Sequence, residues 1–596
     1  MRTGKAESDD LLFGLVLLVA ALNLLLPGET WYQSRALSQL LVFAGFGALL
    51  LTRRPDAVCR GAAARALRFG CFLLLLVPSL CYSVCPGRSL ETLALWAAYV
   101  AFYLLIRGLR PERRHRELAV TVVGLVTVLL LLYGLYQYVT EFGGLAKQIA
   151  ADPSLTEGQR ADMLSRLASR RVFSTFPLPT TFAELIVIAL PLMLHRVRAA
   201  LRRHRAAAAG WAAAALLGLV VLTLTGSYGA LPVLAALGFV ALLARSSRWT
   251  PRRRAAAGGV AVLLAAAAFL VVFQVRGFTP WDAEQAHNPV RQRLFNWRAA
   301  AAAWQEHPLA GVGPGNFQVA YARHRPAGAN ETVVAHNTYL HLAAEGGTLP
   351  AVALAALALL LGWRILRRLS TAAGGGDGAG RAVGYAALAL LLYGCFEITV
   401  EYPGIGYPGL LLIALAAAWS SPAVHPVARS EDRGASGMSV VSLEPAGAVV
   451  LALLLTAGFL WTGCWYLGRG HLERALLLTG EGAPARDEAL DAARRAAAWN
   501  PLDPEPPAVR GALLLAAGAE TGDPRLARRA ATAFAAASAL DPERAFFHHR
   551  LSVAHEAAGE GLSALVQAEK AFRLYPSQPR YRDRRAALIR QLEEVP

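Results

Sequence analysis

The chain has 596 residues, 55% of them apolar, a mean hydropathy of +0.39 and a formal net charge of +18. So apolar a composition excludes a soluble protein of ordinary make-up and puts most of the chain in a bilayer. The basic excess does not point to nucleic acid, because it is concentrated in short connections between apolar runs, where membrane topology and anionic lipid account for it.

Apolar runs of roughly 17 to 25 residues, the length a helix needs to cross the hydrocarbon core, begin near residues 11, 36, 67, 90, 117, 177, 209, 229, 256, 336, 382, 406 and 445. About thirteen spans are therefore expected, and the fold class is all-α, a polytopic membrane helix bundle. The first run lacks a cleavage-site pattern and reads as a retained span. Basic clusters fall on alternate connections: Arg53 to Arg68, Arg107 to Arg116, Arg196 to Arg205, Arg245 to Arg254 and Arg364 to Arg381. Basic residues stay on the cytoplasmic side during insertion. The expectation is a cytoplasmic amino terminus, with the loops 140–176 and 276–335 and the tail from about 468 on the outer, periplasmic side. Six scattered cysteines give no disulfide framework or zinc site, and Cys81 with Cys85 reads as packing. The stretches 371–380 and 420–437 read as linkers.

Residues 1–467 form the expected membrane domain and 468–596 a soluble helical one. In the tail, segments such as ARRAATAFAAASALDP and ALVQAEKAFRLYP carry helical apolar spacing and end in a helix-stopping Pro. Pro542 and Pro576 are 34 residues apart, and Pro501 and Pro542 are 41 apart. A 34-residue period is that of tetratricopeptide repeats, so the region 485–596 resembles two or three degenerate repeats, with a concave face for a protein partner. A plain Ala-rich bundle is the alternative.

The polar segment 276–347 stands apart from the spans. It reads HPLAGVGPGNF at 307–317 and HNTYLHLAAEGG at 336–347, with six Arg and no Lys. Guanidinium forks hold a diphosphate bidentately, so Arg291 and Arg293 are candidates for contact with a pyrophosphate leaving group, against the plainer role of solvated loop residues. His336 is expected to open the tenth span with its ring at the interface. There a neutral imidazole can take the proton of an attacking sugar hydroxyl, or sit as an inert interfacial His. Asn337 either caps that helix or orients substrate. Glu345 and Gly347 read as helix packing, although an acidic residue inside a span is costly. GVGPGNF follows no strand and is not read as a nucleotide loop. Its glycines allow a tight turn, with Phe317 expected at the lipid interface.

NPVRQRLFNW at 288–297, HPLAGVGPGNF and HNTYLHLAAEGG, in this order, resemble the O-antigen ligase and Wzy-type polymerase superfamily of bacterial membrane proteins. The residues that carry the resemblance are Arg293 with Trp297, Pro308 to Phe317, and His336, Asn337, Leu340, Glu345 and Gly347. It covers roughly residues 10 to 420. It implies a GT-C-like membrane glycosyltransferase fold in the bacterial inner membrane, with no cofactor and no required metal, joining or extending glycans carried on undecaprenyl diphosphate at the periplasmic face. It implies His336 as the catalytic residue and Arg293, Arg291 and Asn337 at the substrate. RRVFSTFPLPTTFAE at 170–184 resembles another family stretch and adds Arg171 as a third candidate for the diphosphate. Two departures stand out. Ser174 and Thr180 replace the usual Gly and Asn, and TLTGSYGA has Tyr228 where the family often has Arg.

The acceptor stays open: lipid A core for a ligase, a second lipid-linked repeat unit for a polymerase, or a protein for an O-oligosaccharyltransferase. From a different class, a non-catalytic scaffold or glycolipid transporter is the alternative. Transporters built from broken helices usually show internal repeats, and none is evident among these spans.

Overall fold

The computed structural model describes residues 2–52, 79–151, 170–245, 288–326, 329–371, 377–399, 401–421, 445–480 and 482–594, with isolated positions at 76, 164, 167–168 and between 250 and 270. Among the described residues every regular element is helical, in a multi-pass membrane chain with a helical carboxy-terminal region. The helices in chain order are α1 (Arg2–Leu25), α2 (Tyr32–Thr52), α3 (Pro86–Gly108), α4 (Arg113–Tyr136), α5 (Phe142–Ala151), α6 (Pro179–Leu201), α7 (Arg205–Leu224) and α8 (Ala230–Arg245). They continue with α9 (Pro289–Glu306), α10 (Phe317–His324), α11 (Thr338–Gly346), α12 (Thr348–Thr371), α13 (Gly378–Tyr393), α14 (Pro403–Ser420) and α15 (Pro445–Thr479).

Among the described residues, eight stretches are long and apolar enough to cross a membrane: α1, α2, α3, α4 with α5, α6, α7, α12 and α14. Helices α8 and α13 are apolar but have only 16 residues each. The expected span near residue 67, with the cluster Arg53 to Arg68, lies outside the described residues, and the one near 256 does so for the most part. The run from 445 is one 35-residue helix that continues beyond its apolar part. The expected tenth span begins later than its apolar run. Residues 338–346 are a separate short helix, the backbone turns at Gly347 with φ of 83°, and the span proper starts at Thr348.

The chain divides into two compact units. The first comprises Met1–Cys71, Ala97–Thr279 and Leu354–Phe459, and the second Phe72–Trp96, Pro280–Ala353 and Leu460–Pro596. In the first, α6 is buried almost all round from Thr181 to Met193 and packs against α4, α7 and α13, as an apolar helix without a polar face must. Helix ends carry the charges: Arg114 pairs with Asp10 at 2.8 Å, Arg116 with Asp377 at 2.6 Å, and His195 with Glu117 at 3.0 Å.

In the second unit, α9 lays Ala299, Ala300 and Ala303 against Phe317, Tyr321 and Ala344, so small side chains let α9, α10 and α11 approach closely. Phe317 is fully buried in this cluster, which corrects its expected place at a lipid interface. The carboxy-terminal region continues as α16 (Arg486–Trp499), α17 (Glu505–Thr521), α18 (Pro524–Leu540), α19 (Ala545–Ala557), α20 (Gly561–Leu574) and α21 (Pro579–Glu593). Successive helices pack side by side, α17 on α18, α18 on α19 and α19 on α20, around Phe534, Phe547 and Leu551. The turns before α17, α19 and α21 hold Pro501, Pro542 and Pro576.

Candidate functional site

The candidate residues fall in both units, Arg171 in the first and Arg291, Arg293, His336 and Asn337 in the second. In the first unit the stretch 171–176 is threaded by backbone and side-chain bonds onto its neighbours. Val172 N–H donates to the Leu224 carbonyl at 3.2 Å, and Arg171 Nε donates to the Thr225 carbonyl at 2.7 Å. Arg171 is thereby fixed against the α7–α8 turn, whose Tyr228 is buried. Ser174 has φ of 56°, a left-handed conformation that a side chain disfavours and that glycine adopts freely. Two contacts hold it there. Gln137 Oε1 accepts the Phe173 and Ser174 amides at 3.2 and 3.0 Å, and Ser174 Oγ donates to the Leu130 carbonyl at 3.0 Å. Gln137 begins a π-turn, Gln137–Glu141, between α4 and α5, and such insertions frequently mark functional sites.

In the second unit Asn288 caps α9, its side chain accepting the Val290 and Arg291 amides, with Pro289 at the first helical position. Arg291 and Arg293 lie two residues apart on α9, so their side chains leave on nearly opposite faces. Arg291 stacks its guanidinium over the Phe295 ring at 5.3 Å. Arg293 shares the other face with Trp297, one turn on, and Trp297 Nε1 donates to the His336 carbonyl at 3.3 Å. The face that carries Arg293 is thus the one tied to the His336 segment.

His336 is half-buried and has φ of 52°, one of four non-glycine residues with positive φ among the described residues. A β-extended Asn337 follows and caps α11, its side chain accepting the Tyr339 and Leu340 amides at 3.1 and 3.0 Å. The sequence left capping and substrate orientation open for Asn337. Capping is what its amide oxygen does here. His336 precedes a short capped helix rather than a membrane span, which corrects its expected place at a span mouth.

Behind this segment is a buried carboxylate. Glu345 accepts the Gly315 and Phe317 amides, each at 2.8 Å, and His341 Nε2 stands 3.4 Å from the same carboxylate. His341 Nδ1 accepts the Ala335 amide at 3.4 Å, next to His336. Backbone bonds from Val312 to Ala344 and from Gly313 to Glu345, both 2.9 Å, close the turn onto α11. Gly315, with φ of 76°, is required twice, since a Cβ would also lie 2.4 Å from Thr92 Oγ1. Glu345 is therefore the anchor of the GVGPGNF turn, beyond the helix packing expected of it. Gln137 and His341 carried no signal in the sequence beyond being polar residues in apolar runs. Among the described residues four cysteines are free thiols, Cys81 and Cys85 included.

Residues 213–355 match the family model described as O-antigen ligase. The matched stretch contains Arg291, Arg293, His336, Asn337 and Glu345 and ends short of Arg171 on the amino-terminal side. The matched stretch lies within a chain that has several helices long and apolar enough to cross a membrane. No curated protein matches the chain.

Proposed function

We propose that this chain transfers glycan from undecaprenyl diphosphate to a hydroxyl acceptor at the periplasmic face of a bacterial inner membrane, with His336 as the catalytic residue. The observation that carries the reading is the left-handed backbone of His336, held between the Trp297 contact and the Asn337 cap inside the matched stretch. Strain of this kind costs about 1–3 kcal/mol and persists where the surrounding structure over-determines it, which it characteristically does at active sites.

The chemistry follows from the residue types. Neutral His336 takes the proton of the acceptor hydroxyl as its oxygen attacks the anomeric carbon. The bond from that carbon to the phosphate oxygen breaks, and undecaprenyl diphosphate leaves with the electron pair. Arg293 and Arg291 neutralise the charge that gathers on the diphosphate. Arg293, on the Trp297 face, is the principal contact in this reading. The tail from 468 is periplasmic and resembles tetratricopeptide repeats. The acceptor is lipid A core for a ligase or a second lipid-linked repeat unit for a polymerase.

A kinetic split tests the assignment on purified full-length protein supplied with undecaprenyl diphosphate-linked glycan from its own cells. His336→Ala is expected to lower kcat at least 100-fold with donor KM little changed. Arg293→Ala is expected to lower kcat/KM by tenfold or more, and Arg293→Lys to recover only part of it. Wild-type turnover by His336→Ala contradicts the catalytic role. No transfer by the wild type favours the scaffold or transporter reading.

A further inference from the structure

The three proline-bearing turns of the carboxy-terminal region share one edge, and within the second unit that edge meets the GVGPGNF turn, the stretch after α10 and the amino-terminal end of α3. At the first turn, Gly87 lies so close to the Leu502 carbonyl that a Cβ would stand 2.1 Å from its oxygen. At the second, Arg88 Nη2 pairs with the fully buried Asp541 carboxylate at 2.5 Å, while Arg88 Nη1 donates to Asn316 Oδ1 at 3.0 Å. Arg323 pairs with Glu543 of the same turn at 2.6 Å. At the third, Tyr575 takes a hydrogen bond from Arg325 and donates one to Glu331 at 3.2 Å, and Gln578 Nε2 donates to Glu331 at 3.0 Å.

Asn316 sits at the centre of this junction. Its Nδ2 donates to Ser83 Oγ and Ser89 Oγ, each at 3.0 Å, and Ser89 Oγ donates to the Pro314 carbonyl at 2.8 Å. The next residue, Phe317, gives its amide to Glu345. One continuous polar chain thus runs from Asp541 through Arg88 and Asn316 to the turn that Glu345 anchors, and from Glu345 through His341 to the amide beside His336. Arg88 bonds both the tail and the turn. A buried carboxylate with one cation opposite it defines that geometry strongly, because losing the partner leaves an uncompensated charge.

We infer that the carboxy-terminal helical region acts in cis as a brace on the loop that carries His336, with Arg88 as the positioning residue at the junction. The brace uses the edge formed by the turns at Leu502, Asp541 and Tyr575, so a further partner of the tail would dock on its other faces. The functional consequence rests on the proposed role of His336; the coupling itself does not.

Hydrogen exchange on the full-length protein in detergent reads the coupling without any substrate. Arg88→Ala is expected to speed exchange of the amides from 311 to 337 by tenfold or more, and Asp541→Asn to speed the same amides. The double variant Arg88→Met with Asp541→Asn, which leaves no buried charge, should speed them no more than Arg88→Ala alone. Tyr575→Phe, at the edge of the contact, keeps the fold and should speed only the amides near 325–332. In the transfer assay Arg88→Ala should lower kcat with donor KM unchanged, and Arg88→Lys should restore part of it. Wild-type exchange at 311–337 in Arg88→Ala and in the double variant overturns the brace, whatever the transfer assay gives. Faster exchange with no transfer by the wild-type protein keeps the brace and removes the catalytic reading instead.

Discussion

The 171–176 stretch, which carries Arg171, and the 311–317 turn, which packs onto the helix after His336, are held by the same device made from different chemistry. At 171–176 a neutral amide, Gln137, takes two consecutive backbone N–H groups. At 311–317 a carboxylate, Glu345, takes two, with an imidazole beside it. Bonds to an ionised acceptor are roughly twice as strong as neutral ones, yet burying a charge costs far more than burying an amide. The first stretch therefore tolerates losing a bond, whereas the second depends on keeping all of them.

The widest break in that comparison comes from removing the two acceptors. Glu345→Ala leaves two buried amides without their acceptor and should cost about 3–5 kcal/mol, against about 2–3 for Gln137→Ala. Glu345→Gln, which keeps one acceptor oxygen, should fall between them. Apparent unfolding temperatures of the full-length protein order the three variants. Equal losses for Glu345→Ala and Gln137→Ala would show that charge contributes nothing.

A pH dependence separates the second unit further. Burial pushes the Asp503 carboxyl up to about 6, with the Glu505 and Glu91 charges adding to the rise and the Glu505 amide, which it accepts, opposing it. The folded state then holds this proton more tightly than the unfolded one. The stabilisation is complete below the ordinary carboxyl value and is lost as pH rises through about 6. Asp503→Asn should flatten the unfolding temperature over that window, and an unchanged slope would assign the dependence elsewhere.

The smallest effects come at the left-handed residues. His336→Gly relieves the backbone and should gain about 0.5–1 kcal/mol while abolishing transfer. Ser174→Gly gains the same relief but loses the bond to the Leu130 carbonyl, so its stability should change by less than about 0.5 kcal/mol and its activity stay intact. A functional loss in Ser174→Gly would mean that the Ser hydroxyl does more than hold the turn.

Much of this was legible in the sequence, and the failures have identifiable causes. Membrane helices show as apolar length, and Asn337 stands as a cap where a polar residue precedes a helical run. The break at Gly347 was hidden because Leu340 to Leu361 reads as one apolar run, and only the Gly346–Gly347 pair marks it. Phe317 was misplaced because an aromatic beside a glycine turn fits a lipid anchor as well as a core knob. The helical character of the tail was readable from its periodicity. Its grip on the loop was not, since it depends on Arg88 meeting Asp541, 453 residues away. Ser174 in place of glycine shows the opposite case: the structure keeps the glycine conformation and supplies Gln137 to hold it.

The most direct test of the central claim is the glycan profile of cells lacking this chain, complemented at equal expression with wild type or His336→Ala. Loss of mature glycan with build-up of its lipid-linked precursor, reversed by wild type and not by His336→Ala, is the expected result, and the length distribution of the restored product separates ligase from polymerase. Full restoration by His336→Ala would contradict the account.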